Sequence, residues 1–178
     1  MTIKAIETKY NGCFFRSRLE ARWAVWFDAM KIKWVYEQQG WDIDGERYLP
    51  DFRLPEDDVF VEIKPTDISD QDQQRVERLI RKFENNNESL WLIQGLPADG
   101  KYKAYIGGEH QAYVLFAPCR RCDGLCYISY CAEDGVNGWG DVMNHTCGDH
   151  DKWPVLDDRR LLQAYDTAMR KKFEHLHD

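Results

Sequence analysis

The chain has 178 residues, of which 43% are hydrophobic, 13% aromatic and 31% charged, with a formal net charge of −7. That length suits one ordinary domain, or one domain with a small appendage, and the apolar and aromatic content excludes a chain dominated by disorder. There is no run of about eighteen apolar residues to make a membrane-spanning helix, and the opening Met1-Thr2-Ile3-Lys4-Ala5-Ile6-Glu7 lacks the layout of a secretory signal, so a cytoplasmic location is expected.

In chain order, Ile3 to Tyr10 and Cys13 to Arg16 flank Asn11-Gly12, a dipeptide that favours a two-residue turn with positive φ, and predict a hairpin. Ser17 is a good N-cap for a helix on which Leu19, Trp23, Phe27 and Met30 form one apolar stripe, with Arg18, Arg22 and Asp28 on its wetter sides. Three strand-like segments follow, Lys33 to Tyr36, Tyr48 to Leu54 and Val59 to Lys64, the last two joined by the turn Pro55-Glu56-Asp57-Asp58. From Ser69 to Glu84 a polar start leads into Val76, Leu79, Ile80 and Phe83 at amphipathic helical spacing, and Leu90 to Ile93 reads as a short buried strand. Beyond Gly95 come aromatic strands, Tyr102 to Ile106 and Ala112 to Phe116, and then a Cys- and Gly-rich stretch from Pro118 to His150. Leu156 to Leu176, with Leu161, Leu162, Tyr165, Met169 and Phe173 at helical spacing, predicts a closing helix packed on the rest. This order points to an α/β domain with a mixed central sheet flanked by helices, divided into a core over residues 1–117, an appendage over 118–153 and a C-terminal helix over 154–178.

The strongest chemical pattern is Pro50-Asp51, ten residues, then Glu62-Ile63-Lys64, on adjacent predicted strands. Side chains alternate along a strand, so Glu62 and Lys64 share a face while Ile63 points to the opposite one, and a hairpin brings Asp51 alongside. Two carboxylates held together repel when both are ionised, and a divalent cation with oxygen preference, Mg²⁺ or Mn²⁺, relieves that cost. Such an ion polarises a phosphoryl oxygen and acidifies a bound water, while the Lys64 ammonium can orient that water or offset charge developing at phosphorus.

The arrangement resembles the PD-(D/E)XK nuclease superfamily, matched by Pro50, Asp51, Glu62 and Lys64. The context Phe15-Arg16-Ser17-Arg18-Leu19-Glu20-Ala21-Arg22-Trp23-Ala24, followed by Tyr48-Leu49-Pro50-Asp51-Phe52, looks like that of small phage and bacterial proteins of this type, and the similarity covers residues 8 to 94. The resemblance implies a restriction-endonuclease-like fold and a catalytic set of Glu20, Asp51, Glu62 and Lys64. It further implies a Mg²⁺ held by Asp51, Glu62 and the backbone carbonyl of Ile63, with Glu20 on the preceding helix supporting the metal or a second ion. Gln71 or Gln74, on the helix after the lysine strand, would take the polar position often found there.

Plainer readings stand beside these. Ser17-x-x-Glu20 is also a capping box, in which Glu20 serves the helix N-terminus and no catalysis is needed. For Asp51, Glu62 and Lys64 the plainer alternative is surface charges on an edge hairpin, where charges are normal. Residues 1 to 40 hold seven Lys and Arg against four acids, so this region, with Arg16 and Arg18 as phosphate contacts, could face a nucleic-acid backbone. Those two arginines also suit an ordinary solvated surface.

Five of the six cysteines lie between Cys119 and Cys147. Cys119-x-x-Cys122 and Cys147-x-x-His150 form two ligand pairs of the spacing that holds a structural Zn²⁺, with all four positions taken by protein. Cys126, Cys131 and His145 leave the register of that set open, and Cys126 could replace His150. Buried reduced thiols acting as small apolar residues are the alternative, and the one that suits Cys13.

Together these readings predict a Mg²⁺-dependent nuclease acting on nucleic acid, DNA before RNA, with a zinc-stabilised appendage, no membrane partner, and either a homodimer or a protein partner open. The rival is a catalytically inactive module that uses the same fold to bind nucleic acid or a host protein.

Overall fold

Asn11 and Gly12 adopt φ of 48° and 78°. This turn folds β1 (Thr8–Tyr10) onto β2 (Cys13–Phe15) with Lys9 opposite Phe14, as the dipeptide predicts. The structure, a computed structural model, describes residues 5–43, 45–66, 68–97, 102–106, 111–118, 125–131, 142–143 and 159–173.

Ser17 caps helix α1 (Arg18–Ala29), its side chain accepting from the Glu20 N–H. The chain then runs through β3 (Val35–Tyr36), a hairpin of β4 (Trp41–Ile43) and β5 (Glu46–Tyr48), and β6 (Phe52–Leu54). After β7 (Val59–Lys64), α2 (Asp70–Asn85) crosses to β8 (Ser89–Gln94), which pairs parallel to β7. Strands β9 (Tyr102–Ile106), β10 (Gln111–Pro118), β11 (Leu125–Cys131) and β12 (Val142–Met143) extend the sheet antiparallel, and α3 (Arg159–Arg170) follows. The result is a mixed eight-stranded sheet in the order β12-β11-β10-β9-β8-β7-β6-β3, with three helices among the described residues. None of these helices is long and apolar enough to cross a membrane.

Two local predictions change. The single strand expected from Tyr48 to Leu54 is two, because Leu49, Pro50 and Asp51 separate β5 from β6. Pro50 has no N–H to donate to a ladder. The β4–β5 hairpin, which the sequence pattern does not announce, fills the space before the break.

Strands β7 and β8 are covered on both faces, which is why Val59–Ile63 is buried at every position. Val61, Ile63, Trp91 and Ile93 join α1 and α3 on one side, while Phe60, Leu90 and Leu92 meet Val76, Leu79, Ile80 and Phe83 of α2 on the other. Helix α2 therefore buries the four residues its spacing predicts. Helix α1 is more enclosed than a single stripe: Ala21, Ala24, Val25 and Trp26 are buried along with Trp23 and Phe27, because α3 covers the side that the sheet does not. On α3 the buried stripe is Leu161, Ala164, Tyr165 and Ala168, whereas Leu162 and Met169 point outward. Two alanines let α3 approach closely. Arg22 of α1 fastens its end, donating to the carbonyls of Ala168 at 2.5 Å and Met169 at 2.7 Å, where the helix leaves acceptors without internal partners.

Phe52 sits at the centre of the first face, with ring centroids 5.4 Å from Phe27, 5.5 Å from Tyr36, 5.8 Å from Trp34 and 6.0 Å from Phe15. Replacing Phe52 by Ala is expected to destabilise the fold by about 3–5 kcal/mol, measured as a lower urea midpoint at unchanged denaturant slope.

Candidate active site

The β6–β7 ladder pairs Phe52 with Val61, Arg53 with Phe60 and Leu54 with Val59. Continued by one residue, that register sets Asp51 opposite Glu62, and by two sets Pro50 opposite Ile63. The N–H and C=O of one strand residue point to the same side, so the Ile63 pair faces β6. There the proline cannot donate. The Ile63 N–H instead donates to Asp51 Oδ2 at 2.7 Å, and the Ile63 carbonyl faces a position without a backbone donor. Pro50 thus ends the ladder, leaving a carboxylate and a carbonyl side by side.

Asp51 is 2% exposed, Glu62 4% and Glu20 7%. These values set aside the surface reading, as does the place of β7 between β6 and β8 in the sheet. Each buried carboxylate is held at both oxygens. Asp51 Oδ1 accepts from Arg16 Nη2 at 2.8 Å. Glu62 Oε2 accepts from the Tyr48 hydroxyl at 2.8 Å, and its Oε1 accepts from Lys64 Nζ. Glu20 Oε1 accepts from Ser17 Oγ at 2.6 Å, and Oε2 from the Tyr36 hydroxyl at 2.5 Å. Arg16 Nε also meets Glu37 at 2.6 Å, and its backbone N–H donates to the Tyr36 hydroxyl at 3.1 Å.

The electrostatics follow from burial. Desolvation first, then the negative charges of Glu62 and Glu20, push the Asp51 carboxyl well above its usual range; the Ile63 N–H and Lys64 offset this only in part. Burial and Glu62 raise the Tyr48 phenol, which therefore stays a neutral donor. Burial opposes the charge on Lys64, but Glu62 and Asp51 outweigh it and raise its pKa, so the ammonium persists. In the same way Tyr36, Asp51 and Glu37 hold Arg16 as a cation against its desolvation.

Of the residues expected at the site, Asp51, Glu62, Ile63, Lys64, Glu20 and Arg16 converge. Glu20 both lies against the Ser17 cap and raises Asp51, so the capping and site readings coincide in one side chain, although its carboxylate bonds the Ser17 hydroxyl and not the Ser17 N–H of a reciprocal capping box. Arg18 sits beside Arg22, whose pKa it helps to lower, and makes none of these contacts. Gln71 and Gln74 are exposed on the first turns of α2, with no hydrogen bond to the carboxylates among the described residues. Cys119, Cys122, Cys147 and His150, with His145, lie outside the described residues. Cys126 and Cys131 fall on β11.

The sequence pattern passed over Tyr36, Tyr48 and Gln94. Tyr48 also lines a cleft of about 530 Å³ with Gly40, Trp41, Asp42, Arg47 and Leu49. Gln94 is buried and stands opposite Lys64 in the β7–β8 register. Nothing in a lone Tyr or Gln on a strand distinguishes it from a packing residue before the strands are paired.

As a metal site the donors are hard oxygens, the Asp51 and Glu62 carboxylates with the Ile63 carbonyl. Glu20 is turned to Ser17 and Tyr36, and among the described residues no three His, Cys, Asp or Glu side chains form a metal-holding group. The directly bonded set contains four carboxylates, Glu20, Glu37, Asp51 and Glu62, against the cations Arg16 and Lys64. That excess of negative charge, part of which adds to burial in raising Asp51, fits a divalent cation.

A carboxyl whose folded-state pKa is raised favours the folded state fully below its ordinary value of 3.8 and loses that contribution as pH rises through the folded value. With chelator present, Asp51→Asn is therefore expected to melt above the wild type at pH 8, the gap narrowing as pH falls toward 4; a gap that widens on acidification would contradict the assigned strain. Comparison with protein-family models, with curated proteins and with solved structures found no match for this chain.

Proposed function

We propose that the protein is a metal-dependent nuclease of restriction-endonuclease-like fold that hydrolyses phosphodiester bonds, in DNA, by attack of water. The observation that carries the reading is the convergence, at the Pro50 ladder break, of two buried carboxylates, the Ile63 carbonyl and the Lys64 ammonium. The resemblance to the PD-(D/E)XK superfamily supports it from the sequence side, since the matched residues are the ones that come together.

Asp51, Glu62 and the Ile63 carbonyl would hold Mg²⁺ or Mn²⁺, which when bound supplies polarisation of a phosphoryl oxygen and a water acidic enough to attack at neutral pH. The chain's own residues do the rest. Lys64, kept cationic beside Glu62, can orient the attacking water and offset charge developing on the phosphoryl oxygens. Tyr48 fixes the carboxylate plane of Glu62, and the Ile63 N–H fixes that of Asp51, so neither acid has to be reorganised during the reaction. Arg16, more than half exposed although bonded to Asp51 and Glu37, is placed to exchange those acids for a phosphate. Glu20 supplies negative potential next to Asp51 and strengthens the demand for a cation. Cys119, Cys122, Cys147 and His150 would hold a structural Zn²⁺, as their paired spacing suggests.

Purified protein should nick or degrade DNA with Mg²⁺ or Mn²⁺ and not with chelator, and Glu62→Ala and Lys64→Ala should each lower the rate by at least about a hundredfold. Supercoiled, linear and single-stranded substrates in parallel report the preferred form. Folded wild-type protein that cuts none of them would instead favour a binding module. In a separate measurement, Mn²⁺ should raise the melting temperature of the wild type and leave that of Asp51→Asn unchanged, because ligand binding stabilises only the state that holds it.

A further inference from the structure

Lys9 and Phe14, on the outer face of the β1–β2 hairpin, take no part in the site described above. Thr8 and Phe15 turn inward and are each 1% exposed, while Lys9 and Phe14 turn outward, with Phe14 62% exposed. The two face each other across the ladder, and Lys9 Nζ lies 5.2 Å from the Phe14 ring centre. Arg16, two residues beyond Phe14 and just past the end of β2, reaches Asp51 Oδ1 at 2.8 Å.

The exposed ring is not a product of a loose segment. Phe15 packs 4.5 Å from Tyr36 and 5.7 Å from Trp34, centroid to centroid, and the Tyr10 hydroxyl donates to Asp28 of α1 at 2.9 Å. The hairpin is anchored from behind and presents one aromatic ring and one ammonium on its outer face, two residues before the arginine that reaches Asp51. Single exposed apolar residues are common and need no explanation. A rigid exposed aromatic with a lysine against it and an arginine two residues on has the composition of a stacking platform: the ring takes a base face and the cations take flanking phosphates. Phe14 and Arg16 are two residues apart, about 7 Å along an extended chain, which is about two base steps along one nucleic-acid strand.

We infer that the Lys9–Phe14–Arg16 edge binds a single-stranded segment of nucleic acid, with Phe14 stacked on an unpaired base, so that substrate approaches the carboxylates with at least one base unpaired next to the cleaved linkage. A base inside a duplex has both faces covered by its neighbours and offers nothing to Phe14, so this edge selects single strands, frayed ends or junctions over continuous duplex.

This inference rests on the nuclease reading for its substrate class, and the test separates the two. The full-length protein is titrated, in chelator, against a fluorescently labelled single-stranded oligonucleotide and the same sequence as a blunt duplex. The wild type should bind the single strand more tightly. Phe14→Ala should weaken that binding about tenfold and change duplex binding by less than about twofold, while Phe14→Trp restores or exceeds the wild-type affinity. Lys9→Ala should lower the slope of log affinity against log salt by about one phosphate contact. Phe14 is on the surface, so matching melting temperatures establish that these variants are folded. Equal binding of wild type and Phe14→Ala, an equal loss on both substrates, or no binding by the wild type would each overturn the platform. Metal-dependent cleavage by the wild type with unaffected Phe14→Ala binding would overturn the platform alone, whereas selective single-strand binding without cleavage would overturn the nuclease reading and keep the platform.

Discussion

Everything at the candidate site depends on the absence of one backbone hydrogen. Pro50 occupies the position that the register sets opposite Ile63, and because it cannot donate, the β6–β7 ladder stops at Phe52 and Val61. The free Ile63 N–H then takes the Asp51 carboxylate, and the Ile63 carbonyl is left facing the same gap. Backbone and side chain oxygens are thereby brought together by strand geometry, without a loop that would have to order itself. Glu62 follows from the same register, since the residue opposite Asp51 on a neighbouring strand must lie on the same face.

Keeping such a gap open against collapse requires stiff surroundings, and the aromatic packing supplies them. Phe52, the chain neighbour of Asp51, is locked between α1, β3 and the first hairpin. Glu20 enters from the N-terminus of α1, a helix buried on nearly every side by the sheet and α3. The position of Glu20 relative to Asp51 is therefore set by the core, in the sense that moving the carboxylate requires moving Trp23 and Phe27.

Electrostatically the site is unbalanced in a definite direction. Arg16 and Lys64 compensate four carboxylates incompletely, and the strain falls on Asp51, the least exposed of them. Tyr36 and Tyr48 solvate the acids with neutral donors, which lowers the cost of burial without cancelling the charge. An arrangement of that kind is costly to the fold by itself and favourable to a ligand carrying positive charge, which is the property on which the proposed metal-dependent activity rests.

Much of this was legible in the chain itself. The Asn11-Gly12 hairpin, the apolar set of α2, the alternation that places Glu62 and Lys64 on one face, and the Pro-Asp and Glu-x-Lys spacing are local properties, governed by φ preferences and by periods of 2 and 3.6 residues. Such properties are readable without knowing what packs against what. The partners were not legible. That Tyr48 donates to Glu62, that Glu20 serves Ser17 and Asp51 together, that α3 buries Leu161 and Ala164 while leaving Leu162 and Met169 outside, and that Gln94 stands beside Lys64 all depend on strand order and helix placement. The sequence by itself determined which residues are the main candidates for chemistry and that Glu62 and Lys64 share one strand face. Only the tertiary structure decided which of them meet and at what charge, because long-range pairing and burial arise from the whole chain at once and leave no period in it.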